Sequence, residues 1–428
     1  MTKKAGSAQD LYARCLSLLI YREVFHDEVG QAFLALLKAA SQQDQLEVVQ
    51  AYGDWFSAIA HTGKGWQDYL LNRMVSVENA FSRTIQTTPP EALPPALVDA
   101  IAHDLRILQQ IYQCSTAQIA QWVSDQTPAW SDHLLYPKTS RQRRIVQFST
   151  DLELLIDWAA AIPDLAEFYQ TFGTGMVAQY SAFRWQNGQL NAIAHPDPLL
   201  IDSLVGYETQ RDMLVKNTEF LLAGLPALHI LLYGSRGSGK SSLVKSLLHE
   251  YDNLRLIEVG KSELKDLSTI VEQLRNLPQK FIIFVDDLSF EEDNDAYKAL
   301  KVVLEGNLTA RPQNVVVYAT SNRRHLIREF FDERPRPKDA DEIHHWDTVQ
   351  EKLSFSDRFG LTLTFEPADQ TTYLNIVRHL AEQAQVLISS EELEFQALQW
   401  ATRHNGRSGR TARQFIDFLK ADLTLSHS

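Results

Sequence analysis

LLYGSRGSGKSSLVKSLLHEY, residues 231–251, is the stretch from which the fold follows. Three glycines, a lysine and two serines lie between a short apolar run and an amphipathic segment. Gly234, Gly239, Lys240 and Ser241 match the pattern G-x-x-x-x-G-K-[ST], which requires a strand before the loop and a helix after it. Both flanks satisfy that requirement. The stretch therefore predicts a phosphate-binding loop between a β-strand and an α-helix.

The chemistry of this loop suits a nucleoside triphosphate bound with Mg²⁺. Glycines let the backbone curve around an anion, so that successive N–H groups and the helix N-terminus point at the β-phosphate. Lys240 supplies a positive charge to the β- and γ-phosphates, and Ser241 offers its hydroxyl to Mg²⁺. The predicted nucleotide contacts in the loop are Gly234, Gly237, Ser238, Gly239, Lys240, Ser241 and Ser242.

Short apolar runs alternate with helical segments around the loop. The runs are HILLY before it, then LRLIEV at 254–259, FIIFVDD at 281–287 and NVVVYATS at 314–321. Continuous apolar runs of this length indicate strands that are buried on both faces, as in a parallel sheet covered by helices. The glycine-rich loop then lies at the edge of the sheet where such folds bind ligands.

Two adjacent carboxylates end one of these predicted strands. Asp286 and Asp287 follow the apolar run FIIFV, about two strand–helix steps after the glycine-rich loop. We predict that Asp286 holds Mg²⁺ through water and that Asp287 orients or deprotonates the attacking water.

The first part of the chain has a different pattern. Residues 10–180 show helical periodicity, for example in Val48, Tyr52, Trp55 and Ile59, and this stripe indicates a helix with one buried face. Asn187-Gly188 lies between two short stretches that could pair as a hairpin near 183–194, and HPDP then interrupts the chain. We therefore predict a mostly α-helical N-terminal domain at 1–195.

Composition excludes several classes of protein. The 428 residues are 44% hydrophobic, enough for two or three folded domains, and the net charge of −13 disfavours nonspecific binding of nucleic acid. The chain has two cysteines, so a disulfide framework has little support. Because we find neither an apolar run of membrane-spanning length nor a signal peptide, we expect a cytoplasmic protein without a membrane span.

The order of the motifs resembles that of an AAA+ ATPase. The glycine-rich loop is followed by FVDD, VVVYATSN, SDRFG and GRSGRTARQF. VDDLSFEE, LKVVLEGN and YATSNRRHL together resemble one bacterial AAA+ family that is designated a domain of unknown function. The resemblance covers about residues 200–425. It implies a P-loop NTPase parallel sheet, the AAA+ core, at 196–367 and a C-terminal helical lid at 368–428, with ATP and Mg²⁺ as ligands.

The resemblance also assigns expected roles to residues outside the loop. Asn322 would be the polar residue that senses the γ-phosphate, and Arg358 in SDRFG would be an arginine finger that reaches a neighbouring subunit's nucleotide. Arg323 and Arg324 are alternatives for the finger. In the lid, Arg410 would contact the phosphates, with Arg413 as its alternative. Val205, Gly206 and Tyr207 would contact the base, although Tyr207 also suits a plain core position.

Three functions are compatible with these features. The first is ATP hydrolysis by a homo-oligomer, with the arginine finger acting in trans and the N-terminal domain recruiting a protein client. The second is an ATP-gated interaction switch with little turnover. Its support is Asp287, because AAA+ hydrolases usually carry Glu there and the shorter side chain reaches less far toward water; Glu291 and Glu292 are the next candidates for the base. The third, a small-molecule kinase, leaves the distal motifs unexplained.

Overall fold

The computed structural model describes residues 7–42, 44–133, 140–199, 201, 204–289, 295–305, 311–322, 358–404 and 406–426. It divides into two compact units. The first comprises Met1–Gln179 with Asn276–Gln279, and the second comprises Tyr180–Arg275 with Lys280–Ser428. Of the residues discussed above, Glu291, Glu292, Arg323 and Arg324 lie outside the described part of the chain.

The first unit is helical, as predicted. Its α-helices are α1 Ala8–Leu16, α2 Glu28–Gln42, α3 Gln45–Thr62, α4 Trp66–Ser76, α5 Ala80–Thr84, α6 Pro95–Tyr112, α7 Thr116–Gln121, α8 Ser140–Leu154, α9 Ile162–Phe172 and α10 Gly175–Gln179. Short 3-10 helices lie at Arg22–Phe25, Pro90–Ala92 and Trp158–Ala161. Among the described helices of the whole chain, none is long and apolar enough to cross a membrane.

Aromatic side chains fill the core of the helical unit. The ring of Phe33 lies 4.4 Å from that of Trp66 and 6.3 Å from that of Trp55, and all three side chains are fully buried. Burying an aromatic side chain of this kind contributes about 1.5–3 kcal/mol. The helical stripe Val48, Tyr52, Trp55 and Ile59 is therefore part of this core rather than a binding surface.

A buried carboxylate holds the connection that follows α1. Asp104 on α6 is fully buried, and its oxygens accept hydrogen bonds from the backbone N–H groups of Leu19, Ile20 and Tyr21 at 2.7–3.0 Å. Three donors stabilise the charge of a buried carboxylate and at the same time satisfy backbone groups that no helix pairs. Asp104 is thus explained by the fold of this unit.

The described strands of the second unit form one sheet of seven in the order β2-β1-β4-β5-β6-β3-β7. They are β1 Ala182–Gln186, β2 Gln189–Ala192, β3 Ile230–Gly234, β4 Leu254–Val259, β5 Lys280–Val285, β6 Val315–Ser321 and β7 Leu361–Phe365. Every pairing is parallel except the antiparallel pairing of β1 with β2. All residues of β6 and five of the six in β5 are buried, which agrees with the predicted parallel sheet.

The predicted hairpin exists, but we assigned it to the wrong domain. β1 and β2 pair as expected, and β1 also pairs in parallel with β4, so that Ala182 lies opposite Leu256. The hairpin therefore extends the sheet of the second unit, and this unit begins at Tyr180 rather than near residue 195.

The helices of the second unit are α11 Glu208–Leu222, α12 Lys240–Glu250, α13 Leu267–Leu274, α14 Asp295–Glu305, α15 Gln370–Gln383, α16 Ser390–Arg403 and α17 Gly409–Ser426, with a 3-10 helix at Lys261–Asp266. The last three α-helices pack around their own core, which includes Tyr373, Val377, Ala397 and Phe415. We call these three helices the C-terminal helical segment.

A polar network fixes α11 against the sheet. The hydroxyl of Tyr318 on β6 lies 3.0 Å from the Asn217 Nδ2 and 3.0 Å from the Thr218 Oγ1, both on α11. Burial raises the pKa of Tyr318 to about 12, so the phenol stays neutral and its hydrogen bonds persist at physiological pH. α11 thereby holds a fixed position beside the sheet that carries the glycine-rich loop.

Candidate nucleotide-binding site

The glycine-rich loop begins where β3 ends and finishes where α12 begins. Gly234 has φ 141° and Gly239 has φ 90°, a region in which side chains other than glycine are strained. A Cβ on Gly234 would also collide with the backbone carbonyl of Phe365 on the neighbouring strand β7. The loop can therefore keep this shape only with glycine at these positions.

Lys240 is the first residue of α12 and is largely buried. Its Nζ donates hydrogen bonds to the carbonyl oxygens of Gly234 at 3.0 Å and Ser235 at 2.7 Å, and to the Asn322 Oδ1 at 3.2 Å. Burial lowers the pKa of Lys240, while the nearby carboxylates of Asp286 and Asp287 act in the opposite direction. A phosphate would supply the negative charge that the buried ammonium group lacks among these neutral acceptors.

Asp286 accepts hydrogen bonds from three groups of the site. Its Oδ1 lies 2.6 Å from the Ser241 Oγ, 2.6 Å from the Thr320 Oγ1 and 3.1 Å from the Asp287 backbone nitrogen. Hydroxyl and carboxylate oxygens are the ligands that Mg²⁺ prefers, and Mg²⁺ normally keeps several waters beside one or two protein ligands. The Ser241–Asp286 pair therefore fits a magnesium ion that is bound together with phosphates.

Asp287 lies between an amide and an ammonium group. The Asn322 Nδ2 donates to its Oδ1 at 2.8 Å, and the Lys261 Nζ is 3.9 Å from its Oδ2. The Asp287 backbone has φ 52°, which Asp tolerates better than most residues, and its N–H donates to the Thr320 Oγ1 at 2.9 Å. Asn322 therefore connects this carboxylate with the ammonium group of Lys240.

A cleft of about 600 Å³ opens at this end of the sheet, within the range of roughly 300–1,000 Å³ that small-ligand sites occupy. The predicted site residues that line it are Val205, Tyr207, Gly237, Ser238, Gly239, Lys240, Ser241, Ser242, Asp286, Asp287, Asn322 and Arg410. Of the remaining predicted residues, all of which the structure describes, Gly206, Gly234 and Arg358 lie outside this lining.

The segment predicted to contact the base lies between β7 and the C-terminal helical segment. The Tyr207 hydroxyl donates to the Glu366 carbonyl oxygen at 2.6 Å, and its ring lies 5.0 Å from that of Phe365. Gly206 has φ 99°, and a Cβ there would lie 2.7 Å from the Thr372 Cγ2. Tyr207 thus has packing contacts of its own, as the core alternative requires, and also borders the cleft.

The C-terminal helical segment contacts the loop directly. The Arg410 backbone N–H, in the first turn of α17, donates to the Gly237 carbonyl oxygen at 3.2 Å. Arg410 and Arg413 both line the cleft, so both remain candidates for the arginine that contacts the phosphates. Arg358 instead forms an ion pair with Glu305 at the end of α14.

Sequence reasoning missed three residues at the site. Thr320 shares Asp286 with Ser241, and it could have been found two residues before Asn322 at the end of the same strand. Lys261 follows β4, and its proximity to Asp287 required knowing that β4 and β5 are neighbours. Arg236 lies inside the quoted loop and lines the cleft, but it occupies a position that the loop pattern leaves variable.

A parallel sheet with a glycine-rich loop after one strand and paired carboxylates after another defines a P-loop nucleotide-binding fold. The chain belongs to the family described as "Protein of unknown function (DUF815)", whose model matches residues 178–423. No curated protein matches the chain.

Solved structures similar to the chain include the Thermotoga maritima RuvB Holliday junction branch migration motor. This structure has a TM-score of 0.39 and 15% identity, covering 54% of this chain and 67% of the RuvB chain. A point-mutant form of the same Thermotoga maritima protein has a TM-score of 0.40 and 16% identity over the same shares of the two chains.

Proposed function

We propose that the second unit is an AAA+ ATPase that hydrolyses ATP to ADP and phosphate and couples this reaction to the remodelling or regulation of a protein client. One observation carries the proposal: Lys240, Asn322 and Asp287 form a continuous hydrogen-bonded series beside the Ser241–Asp286 pair on a single cleft. This series brings together a cation for the phosphates, an amide and a carboxylate for water, and oxygen ligands for Mg²⁺.

The chain's own residues supply the parts of a phosphoryl transfer. Lys240 would move from the loop carbonyls to the β- and γ-phosphates, and Ser241 and Asp286 would hold Mg²⁺. When bound, Mg²⁺ withdraws negative charge from the phosphate oxygens. Asn322 would orient a water molecule and Asp287 would accept its proton as the water oxygen bonds to the γ-phosphorus. The bond from this phosphorus to the bridging oxygen breaks, and its electron pair stays on ADP.

The remaining predicted roles belong to the same proposal. Arg358 would act on the nucleotide of a neighbouring subunit in a homo-oligomer, and Arg410 or Arg413 would bind the phosphates as α17 moves toward the loop. Support comes from the contact of Arg410 with the loop and from the position of Arg358 outside the cleft of its own chain. The N-terminal helical unit would recruit the client in the cytoplasm.

The ATP-gated switch is the second candidate function. Asp287 favours it, because this side chain is shorter than the usual glutamate and already bonds to Asn322, which opposes its movement toward water. In the switch, ATP binds and changes the conformation of the protein, but turnover is negligible.

Steady-state phosphate release, measured together with equilibrium ATP binding, tests the proposal. We expect Mg²⁺-dependent hydrolysis by the wild type, whereas Lys240→Ala should lose both binding and turnover. Lys420→Ala, which removes an exposed lysine from α17, is the matched control and should resemble the wild type. Binding without turnover at every protein concentration would support the switch instead. Equal binding by Lys240→Ala would refute both functions.

A further inference from the structure

We propose that Arg236 is a catalytic residue that binds the γ-phosphate of the nucleotide held by its own chain. This inference rests on the proposed ATPase function and extends it, because Arg236 occupies a variable position of the glycine-rich loop and has no role among those by which that function was predicted. Arg236 is exposed, lies in the glycine-rich loop between Gly234 and Gly237, and lines the same cleft as Asp287 and Asn322.

The position of the loop brings Arg236 close to the reacting phosphate. The Lys240 Nζ donates to the Ser235 carbonyl oxygen at 2.7 Å, and this carbonyl belongs to the peptide bond that joins Ser235 to Arg236. Standard peptide dimensions therefore put the Arg236 Cα within about 6 Å of the Lys240 Nζ. Lys240 would leave this carbonyl for the β- and γ-phosphates, and the longer side chain of Arg236 starts beside it and lines the same cleft.

Arg236 is also free to bind a phosphate, unlike Lys240 and Arg358. Lys240 already donates to two carbonyl oxygens and Asn322, and Arg358 is paired with Glu305. Within the described residues, the structure gives the Arg236 guanidinium neither a hydrogen-bond nor an ion-pair partner. Arg410 and Arg413 line the cleft from α17, so their distance to the phosphates depends on that helix, whereas Arg236 is carried by the loop itself.

The chemistry of an arginine suits this position. As water bonds to the γ-phosphorus and the bond to the ADP oxygen breaks, negative charge shifts onto the bridging oxygen and remains spread over the γ-phosphate oxygens. A planar guanidinium donates two parallel hydrogen bonds to such oxygens and keeps its charge at every relevant pH. Lysine can provide the charge but not the paired geometry, so the two residues are distinguishable at this site.

The first experiment compares Arg236→Ala and Arg236→Lys with the wild type. We expect Arg236→Ala to lower kcat by about 10²–10³-fold, as the loss of a donor aimed at transition-state charge does, while the Kd for ADP changes less than about threefold. Affinity for ADP with aluminium fluoride, a mimic of the transferring phosphate, should fall in both variants. Arg378→Ala, which removes an exposed, ion-paired arginine on α15, is the matched control.

Mixing variants then separates action within one chain from action between chains. Lys240→Ala subunits carry an intact Arg236 but cannot bind nucleotide. Adding them to Arg236→Ala subunits should restore no activity, because Arg236 serves the nucleotide of its own chain. Recovery of activity on mixing, or an unchanged kcat in Arg236→Ala, would overturn the inference.

The test also separates this inference from the ATPase proposal. A wild type that binds ATP without hydrolysing it would refute the ATPase, yet the affinity for ADP with aluminium fluoride would still decide the role of Arg236. Weaker binding of this mimic by Arg236→Ala, with unchanged binding of ADP, supports the inference. Equal binding of the mimic by wild type and Arg236→Ala rejects it.

Discussion

At the scale of single residues, Asp287 is held in one conformation by contacts to its backbone and to its side chain. Its backbone has φ 52°, and its N–H bonds to both Thr320 and Asp286, so the carboxylate projects from a fixed and uncommon conformation. Such conformations persist only where surrounding contacts enforce them, and they are concentrated at functional sites. The Asn322 amide donates to one oxygen of this carboxylate, and the Lys261 ammonium group lies 3.9 Å from the other oxygen.

We expect Asp287→Asn to lower kcat by at least about 10²-fold, because an amide cannot accept the proton of the attacking water. The amide is nearly isosteric with the carboxylate, so the Kd for ATP should stay within a few-fold of the wild-type value. Single-turnover hydrolysis together with ATP titration measures both quantities. Asp212→Asn, at an exposed aspartate on α11, is the matched control. Unchanged turnover would show that Asp287 is not the base, and Glu291 and Glu292 would be the next candidates.

At the scale of elements, the contact between β3 and β6 contains a titratable group. His229 directly precedes β3, is buried, and accepts a hydrogen bond from the Val317 backbone N–H of β6 at 2.9 Å through its Nδ1. Burial, assisted by the positive charge of Arg311, lowers the pKa of His229 to about 3. The imidazole is therefore neutral in the folded protein, as its acceptor role requires.

The stability of the second unit should consequently fall in acid. The pKa of His229 is depressed on folding, so its contribution to the free energy of unfolding is complete above about pH 6.5 and is lost progressively below that pH. Between pH 7 and pH 5 the loss is about 2 kcal/mol, from about 1.4 kcal/mol per pH unit. In urea unfolding, the free energy of unfolding of His229→Asn should depend less on pH than that of the wild type. The amide oxygen of Asn can replace the Nδ1 as acceptor. Equal slopes in both proteins would contradict the assignment.

Much of the second unit was predictable from the sequence because its signals are local. The apolar runs of β5 and β6 and the glycine spacing of the loop each lie within a few neighbouring residues, and the structure confirms the parallel sheet that they predicted. The place of the hairpin depends instead on β1 pairing with a strand about seventy residues later. Lys261 was missed for the same reason, since its proximity to Asp287 follows from strand order alone.

At the scale of the whole molecule, the ion pair between Arg358 and Glu305 bears on assembly. If Arg358 acts on a neighbouring subunit, it must leave Glu305, whose side chain is 43% exposed. A partly exposed pair of this kind is worth up to about 1 kcal/mol, and breaking it opposes association by that amount. In the isolated chain Arg358 would then stay paired with Glu305, and the specific activity would depend on protein concentration.

Glu305→Gln should therefore lower the protein concentration at half-maximal specific activity by up to about fivefold, because about 1 kcal/mol corresponds to that factor. Arg358→Ala should reduce the activity at every concentration, and Lys240→Ala subunits, which retain Arg358, should partly restore it. Phosphate release measured over a dilution series, alongside sedimentation of the same samples, provides both readouts. If the specific activity of the wild type, Glu305→Gln and Arg358→Ala does not depend on protein concentration, each chain completes its own site. Arg236 would then be the arginine to test.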